Sequence, residues 1–271
     1  MIALMYHDIE DGNVSNEKRG TPPYHYVISA DTLRQHLELI ASLNLKVVTL
    51  SQFLARSADE SIDPARAIIL TFDDGHESVE RVAMPILASY GFAGTTQVVA
   101  GFVGKPNAYT LDRKQLRNLR DSGWDIGSHG LDHVVLTELD NQALHRELVE
   151  SKEILEAALD ETVPMISIPH GPYDRRVRKA IVDAGYTAAF CSTPGINRVG
   201  MDPLAIRRMT VTRSIGLDAF QNIVTCNPGF YAKETTRRFV YSAAQTLLGS
   251  RLYGYLRAKA LTVDASERLN D

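Results

Sequence analysis

The chain has 271 residues, of which 44% are hydrophobic, and a formal net charge of −4 with an isoelectric point near 6.1. This length and composition suffice for a large buried core, whereas the scattered Lys and Arg residues form no basic patch of the kind that binds nucleic acid. The two cysteines, Cys191 and Cys226, lie far apart without CxxC spacing, so neither a zinc knuckle nor a disulfide framework is expected.

The N-terminal stretch MIALMYHDIEDG lacks the basic start, long apolar run and cleavage site of a signal peptide. No window approaches the ~20 apolar residues of a membrane span. These features predict a cytoplasmic protein.

Short apolar or β-branched runs alternate with amphipathic segments along most of the chain. Eight runs are strand candidates: residues 2–6, 46–50, 67–72, 95–100, 124–128, 164–168, 187–191 and 205–211. Between them, apolar residues recur at helical spacing, as in Leu33, Leu37 and Ile40 or Val79, Val82 and Ile86, and several segments stop at a glycine suited to a left-handed helix end, namely Gly91, Gly123 and Gly185. The alternation predicts an α/β fold, a single irregular (β/α) barrel of about seven to eight parallel strands.

The last forty residues have a different pattern. We expect the barrel to occupy residues 1–230 and residues 231–271 to form a C-terminal helical extension packed on the same domain. Because this segment mixes Arg and Lys with Leu, Tyr and Phe, the alternative is an amphipathic surface that makes peripheral contact with a membrane or a lipid-linked substrate.

Polar residues directly follow strand candidates, at the end of a parallel barrel where active sites form. Asp73 and Asp74 follow the third candidate, and His129 and His133 follow the fifth. Histidines spaced i, i+4 can face the same way on a helical turn and share one metal ion. Taken separately, the alternatives are two exposed histidines and a solvated turn at the aspartates.

Together these four residues predict a metal site. Two adjacent carboxylates repel each other, and one would tend to stay protonated. A divalent cation on Asp74 removes that difficulty and completes a ligand set with open positions for water and substrate. Asp73 is then free to ionise and act as a base.

Two motifs resemble those of the polysaccharide deacetylases, or NodB-like carbohydrate esterases. The first is Thr71-Phe72-Asp73-Asp74 followed by Gly75, and the second is His129-Gly130-Leu131-Asp132-His133, with glycine in the place of the usual Ser or Thr. The resemblance covers residues 1 to about 211 and implies a barrel of the NodB-homology type that acts as a metal-dependent carbohydrate N-deacetylase. It implies Asp73 as general base, and Asp74, His129 and His133 as ligands of zinc or a similar ion such as cobalt.

The third motif of that family, R-x-P-Y-G, aligns with residues 167–171 and departs from it twice. Ser167 replaces an arginine that holds the catalytic aspartate ionised, and His170 replaces a tyrosine whose backbone N–H meets the oxyanion. Arg207 or Arg208 could supply the missing guanidinium, and we favour Arg208. His170 and Gly171, with Tyr173, are expected to contact the substrate.

The C-terminal histidine of the family, its general acid, has no counterpart, since no histidine follows His170. The opening Tyr6-His7-Asp8 resembles a subgroup in which the motif order is circularly permuted. This resemblance implies that His7 protonates the leaving amine. The tryptophan-bearing fourth motif is also missing, which leaves the wall of the acyl pocket unassigned.

The sequence thus predicts a hydrolase that removes the N-acetyl group of an amino sugar in polysaccharide or glycoconjugate synthesis. The sugar would be soluble, nucleotide-linked or lipid-linked. One alternative is a catalytically silent carbohydrate-binding protein on the same fold, suggested by the altered motifs. Another is a hydrolase of a formamide or a cyclic amide.

Overall fold

The computed structural model of the chain describes residues 1–12, 22–55, 62–105, 109–171, 173–198 and 200–233, together with Thr236. The strands are β1 (Ile2–Tyr6), β2 (Ile9–Glu10), β3 (Ile28–Ser29), β4 (Lys46–Val47), β5 (Ala67–Phe72), β6 (Thr95–Val98), β7 (Asp125–Ser128), β8 (Met165–Ser167), β9 (Ala188–Cys191), β10 (Ile206–Arg207) and β11 (Met209–Thr210). The helices are α1 (Ala30–Ser42), α2 (Leu50–Ala55), α3 (Met84–Ser89), α4 (Arg113–Asp121), α5 (Asn141–Leu159), α6 (Arg175–Asp183) and α7 (Leu217–Val224).

Nine of the strands form one parallel sheet in the order β10-β9-β8-β7-β6-β5-β1-β11, with β4 beside β5. Strands β10 and β11 are two halves of one extended segment interrupted at Arg208. Since β10 pairs with β9 and β11 pairs with β1, this segment nearly closes the sheet into a barrel. The predicted α/β barrel is confirmed, and each of the eight strand candidates contains sheet residues.

The strands are buried on both faces, as expected for a parallel sheet covered by helices. Along β1, Ile2 and Leu4 belong to the larger apolar cluster shared with the helices, whereas Met1 and Ala3 belong to a smaller cluster with residues such as Phe190. Successive side chains of a strand point to opposite faces, so the smaller cluster fills the barrel interior. The apolar strand sequences therefore follow from this two-sided burial.

Side-chain caps and glycines fix the helix ends. Asp174 accepts a hydrogen bond from the backbone N–H of Val177 and caps α6, and Asp112 forms a capping box with Gln115 at the start of α4. The three predicted helix-ending glycines have φ of +70°, +82° and +81° (Gly91, Gly123 and Gly185). These ends turn the chain back toward the next strand of the barrel.

The predicted C-terminal extension, residues 231–271, lies almost wholly outside the described residues. Of this segment the structure describes only Tyr231, Ala232, Lys233 and Thr236. Its packing on the barrel and its contact with a membrane stay predictions. Among the described helices, none has the length and apolar character needed to cross a membrane.

The Leu4→Ala variant tests the packing of the sheet. Leu4 is fully buried in β1 between β5 and β11, so the truncation should lower the free energy of unfolding by about 2–5 kcal/mol. The matched control, Leu54→Ala, truncates a leucine that is 41% exposed and should cost about 1 kcal/mol or less. Urea denaturation measures both, and equal losses would contradict this account of the core.

Candidate active site

The sequence-predicted site residues follow strands at one end of the barrel. Asp73 and Asp74 follow β5, His7 follows β1, His129 follows β7, and Arg208 separates β10 from β11. Because neighbouring strands are parallel and in register, their carboxyl ends meet at one edge of the sheet. The fold thus brings together residues that are up to 201 positions apart, from His7 to Arg208.

Several of these residues adopt a left-handed backbone that non-glycine residues rarely adopt. Asp74, His133 and His170 have φ of +71°, +57° and +58°. Each such residue costs on the order of 1 kcal/mol or more and persists only where its surroundings hold it. Three of the turns that carry the site are therefore under backbone strain.

Asp74, His129 and His133 form a compact cluster. Asp74 Oδ1 lies 3.4 Å from Nε2 of His129 and 3.4 Å from Nε2 of His133, and one ligand atom from each residue lies within 4.8 Å of the others. The i, i+4 spacing predicted that the two histidines lie on a helical turn, and this prediction is wrong. A loop with left-handed Gly130 and His133 brings their rings to 4.9 Å between centroids.

The protonation of this cluster suits a divalent cation. His129 Nδ1 lies 2.9 Å from the Ser167 carbonyl oxygen, which only accepts, so Nδ1 carries the proton and Nε2 presents its lone pair to Asp74. Burial lowers the pKa of His133 to about 4, so this ring is neutral at pH 7. Within the described residues, the buried Oδ1 of Asp74 has no hydrogen-bond partner. Two lone pairs and a carboxylate oxygen thus converge, as ligands of zinc do.

His76 contacts the same aspartate. Its Nε2 lies 3.5 Å from Asp74 Oδ2. Burial tends to raise the pKa of Asp74, but the hydrogen bond from His76 and the nearby imidazoles of His129 and His7 hold it well below its usual value. The only sequence signal for His76 is its position directly after Asp73-Asp74-Gly75.

Asp73 is held by a bidentate ion pair in the barrel interior. Arg208 Nη1 donates to Oδ1 at 2.6 Å and Nη2 donates to Oδ2 at 2.8 Å, and the two side chains are 2% exposed for Asp73 and 0% for Arg208. Ser167 Oγ donates to Asp73 Oδ2 at 3.0 Å and accepts from Arg208 Nη2 at 2.7 Å. Arg207, the other candidate, is exposed.

This pairing sets the charge of Asp73. Burial alone would raise the pKa of its carboxyl, but the Arg208 guanidinium, His129 and His7 together hold that pKa below its usual value. The carboxylate is therefore ionised at neutral pH. It also lies 3.8 Å from His129 Nε2, directly beside the metal-type cluster.

His7 lies at the margin of the same site. Its buried Nδ1 has no hydrogen-bond partner within the described residues, and its ring packs 4.6 Å from that of Tyr26. Burial lowers the pKa of His7, while the negative charges of Asp73 and Asp74 oppose that shift. The imidazole of His7 is therefore close enough to both carboxylates for their charges to act on its pKa.

The three residues expected to contact substrate lie on the loop after β8. The exposed His170 packs 4.5 Å from the ring of His133, and its Nε2 lies 3.1 Å from the His133 carbonyl oxygen. The N–H of Gly171 donates to the Pro169 carbonyl at 2.7 Å. The Tyr173 hydroxyl donates to the Leu204 carbonyl at 2.7 Å, so it takes part in packing this loop on the barrel.

Comparison with known proteins shows what this chain is similar to. Residues 61–189 match the family model described as polysaccharide deacetylase, which confirms the resemblance drawn from the motifs. YxkH of Bacillus subtilis, provisionally named a polysaccharide deacetylase, is 24% identical over 217 residues, which are 80% of this chain and 73% of that protein.

Two further similarities cover most of the chain. The poly-beta-1,6-N-acetyl-D-glucosamine N-deacetylase of Staphylococcus aureus (strain COL) is 23% identical over 252 residues, 87% of this chain and 85% of that protein. The structure of the deacetylase PplD from Streptococcus pyogenes, solved with acetate, has a TM-score of 0.71 at 21% identity and covers 80% of this chain and 94% of that one. At this sequence identity, the similarity to the Streptococcus pyogenes structure shows a common fold only.

The Arg208→Gln variant tests the buried ion pair. Asp73 would remain buried without its guanidinium, so the free energy of unfolding at pH 7 should fall by about 3–5 kcal/mol. Adding Asp73→Asn removes the unpaired charge and should restore part of the loss. Urea denaturation measures both, with Arg207→Gln as the exposed control of equal charge change; an equal loss in Arg207→Gln would contradict the assignment.

The free energy of unfolding should depend on pH differently in the wild type and in Arg208→Gln. In the wild type the pKa of Asp73 is below the unfolded value of about 3.8, so the stability from this carboxylate is present above that pH and is lost as the pH falls through the folded pKa. In Arg208→Gln burial dominates and raises that pKa, so lowering the pH from 7 to 5 should narrow the gap to wild type. A constant gap would show that Asp73 does not titrate in this way.

Proposed function

Since this chain carries a polysaccharide deacetylase domain, we propose that it is a metal-dependent hydrolase that removes the acetyl group from the nitrogen of an amino sugar. One observation carries the proposal. An ionised carboxylate, Asp73, is fixed by Arg208 directly beside the cluster of Asp74, His129 and His133 that can hold a metal ion.

The cluster would hold zinc or a similar divalent ion through Asp74 Oδ1 and the Nε2 atoms of His129 and His133. Such an ion supplies Lewis acidity to the acyl carbonyl and to the attacking water. The Ser167 carbonyl fixes the tautomer of His129 from behind, which directs its lone pair into the cluster.

Asp73 acts as the general base in this proposal. Asp73 Oδ1 accepts one hydrogen bond from Arg208, and Oδ2 accepts one from Arg208 and one from Ser167, which together prevent the side chain from rotating. Oδ1 keeps a further lone pair, so the carboxylate can take a proton from water. The low pKa favours a base that is ionised before substrate arrives.

The backbone N–H of His170 and the imidazole of His7 complete the proposed site. Within the described residues, the His170 N–H donates to no recorded acceptor, so it is open to the oxyanion that forms from the acetyl carbonyl. Burial lowers the pKa of His7, so only part of the protein carries the protonated imidazole at neutral pH, and this form delivers its proton to the leaving amine. Gly171 and Tyr173 shape the loop that presents His170, and a direct contact of either with sugar stays a prediction.

The substrate class proposed is an N-acetylated amino sugar. A relative that covers most of the chain is named for deacetylation of a β-1,6-linked N-acetylglucosamine polymer, which supports a glycan substrate. Nucleotide-linked and lipid-linked sugars are the other members of this class. Acetate release from oligomers, nucleotide sugars and lipid-linked sugars, supplied with zinc or cobalt, would rank them.

Substitution of the two aspartates separates their roles. Asp73→Asn should lower kcat at least ~10²-fold, the scale of a general-base contribution, yet still bind one metal ion. Asp74→Asn should lose both metal affinity and turnover. Acetate release and metal titration measure the two properties.

Three results would contradict these roles or the proposed activity. Unchanged turnover in Asp73→Asn would exclude it as the base. A wild-type protein that binds sugar and metal but releases no acetate would be a silent binding protein, and turnover of formamides or cyclic amides alone would indicate the other C–N hydrolase.

A change of leaving group tests His7 as the acid. His7→Gln should lower kcat for an N-acetyl sugar by about 10²-fold or more, because an amine leaves only when protonated. An aryl acetate with an acidic phenol leaves without a proton, so its hydrolysis should change little. Asp73→Asn is the matched control, which should slow both substrates, and equal losses in His7→Gln would show that His7 is not the acid.

A further inference from the structure

We propose that Glu147 of α5 is a positioning residue that holds the 129–133 loop in the shape required for metal binding. This inference rests on the proposed function, because it assigns Glu147 a task toward the cation that the reaction requires.

Glu147 binds the peptide that joins the two histidine ligands. Its Oε2 accepts the backbone N–H of Leu131 at 2.8 Å and that of Asp132 at 3.1 Å. Both residues lie between His129 and His133 in the chain. A single carboxylate oxygen therefore fixes the middle of the segment whose two ends carry the ligands.

The other side of this loop is bound by the segment after β6. The N–H groups of Ala100 and Gly101 donate to the carbonyls of Gly130 and Leu131, each at 2.9 Å. In these two contacts the segment is the donor, and the N–H groups of Leu131 and Asp132 donate to Glu147 instead. Glu147 supplies the missing acceptor, and together the two contacts hold the loop from both sides.

Burying the side chain of Glu147 costs free energy that its hydrogen bonds must offset. The residue is 3% exposed, and within the described residues no Lys or Arg lies within salt-bridge distance of it. A buried carboxylate needs strong hydrogen bonds, and bonds from N–H groups to an ionised oxygen are roughly twice as strong as neutral ones. One buried oxygen that accepts two adjacent N–H groups therefore holds the loop rigidly.

Gly130 provides room for this contact. It stands where the resembling family has Ser or Thr, its φ is +80°, and a Cβ at this position would lie 3.1 Å from Glu147 Oε2. Because Gly130 has no side chain, the carboxylate of Glu147 can approach the loop closely. The glycine in the motif and the buried glutamate on α5 are therefore parts of one arrangement.

The consequence is a fixed geometry of the cluster. The loop holds Nε2 of both histidines 3.4 Å from Asp74 Oδ1. A loop that is held in place in this way loses less conformational freedom when a cation binds, which raises the affinity. A residue that orients ligands in this way typically contributes about 10–100-fold in metal affinity.

The test compares Glu147→Gln and Glu147→Leu with Glu150→Gln in the full chain. Glu150 lies on the same helix, and its side chain is 51% exposed. The affinity for Co²⁺ and Zn²⁺ is measured by chelator competition, the spectrum of the Co²⁺ form reports ligand geometry, and urea denaturation in excess chelator reports metal-free stability. Glu147→Gln keeps one amide oxygen as an acceptor and should bind about 10-fold more weakly, Glu147→Leu up to about 100-fold, and Glu150→Gln as the wild type does.

The outcomes separate the inference from the proposed function. Wild-type metal affinity and an unaltered Co²⁺ spectrum in both Glu147 variants, with only the metal-free stability lowered, would overturn the positioning role and leave the proposed function intact. A wild-type protein that binds neither ion would overturn both. If Glu147→Leu fails to fold, the affinity and spectrum of Glu147→Gln decide the question.

Discussion

The buried ion pair between Arg208 and Asp73 is the interaction on which the site depends. Arg208 interrupts the segment that closes the barrel, and Asp73 follows β5, which lies on the other side of β1 from β11. Two charges in a barrel interior are tolerated only when each satisfies the other with good geometry. The guanidinium reaches the carboxylate only when the last strand is in place. Closure of the sheet therefore helps to keep Asp73 ionised.

A second constraint is the rigidity of the turns after the strands. Asp74 and His133 both adopt left-handed backbone, which an isolated peptide would avoid. Contacts from outside each turn compensate for this strain, such as the two hydrogen bonds that Glu147 makes to the histidine loop. The stability of the scaffold thus maintains ligand geometry, as expected where strained residues meet at a functional site.

The arrangement also shows how Asp73 can be paired with an arginine although the third motif has lost its own. Ser167 stands where the resembling family has an arginine, yet its hydroxyl bridges Asp73 and Arg208. A guanidinium from β8 and one from the closing strand can approach the same carboxylate, because both strands point their side chains into one interior. The smaller serine leaves the space through which Arg208 reaches its partner.

The sequence alone determined the strands, the helix caps and the types of residue at the strand ends, because hydrophobic period and capping chemistry act over a few neighbouring residues. It also identified Asp73, Asp74, His129 and His133 through short motifs with local spacing. It could not decide between Arg207 and Arg208, since a shift of one position along a strand exchanges the interior for the exterior. Only the tertiary structure could place Glu147 behind the histidine loop, because that contact joins two different elements of the fold. The contact of His76 with Asp74 and the loop that carries the two histidines are local in the chain, but they depend on left-handed turns that tertiary contacts hold in place.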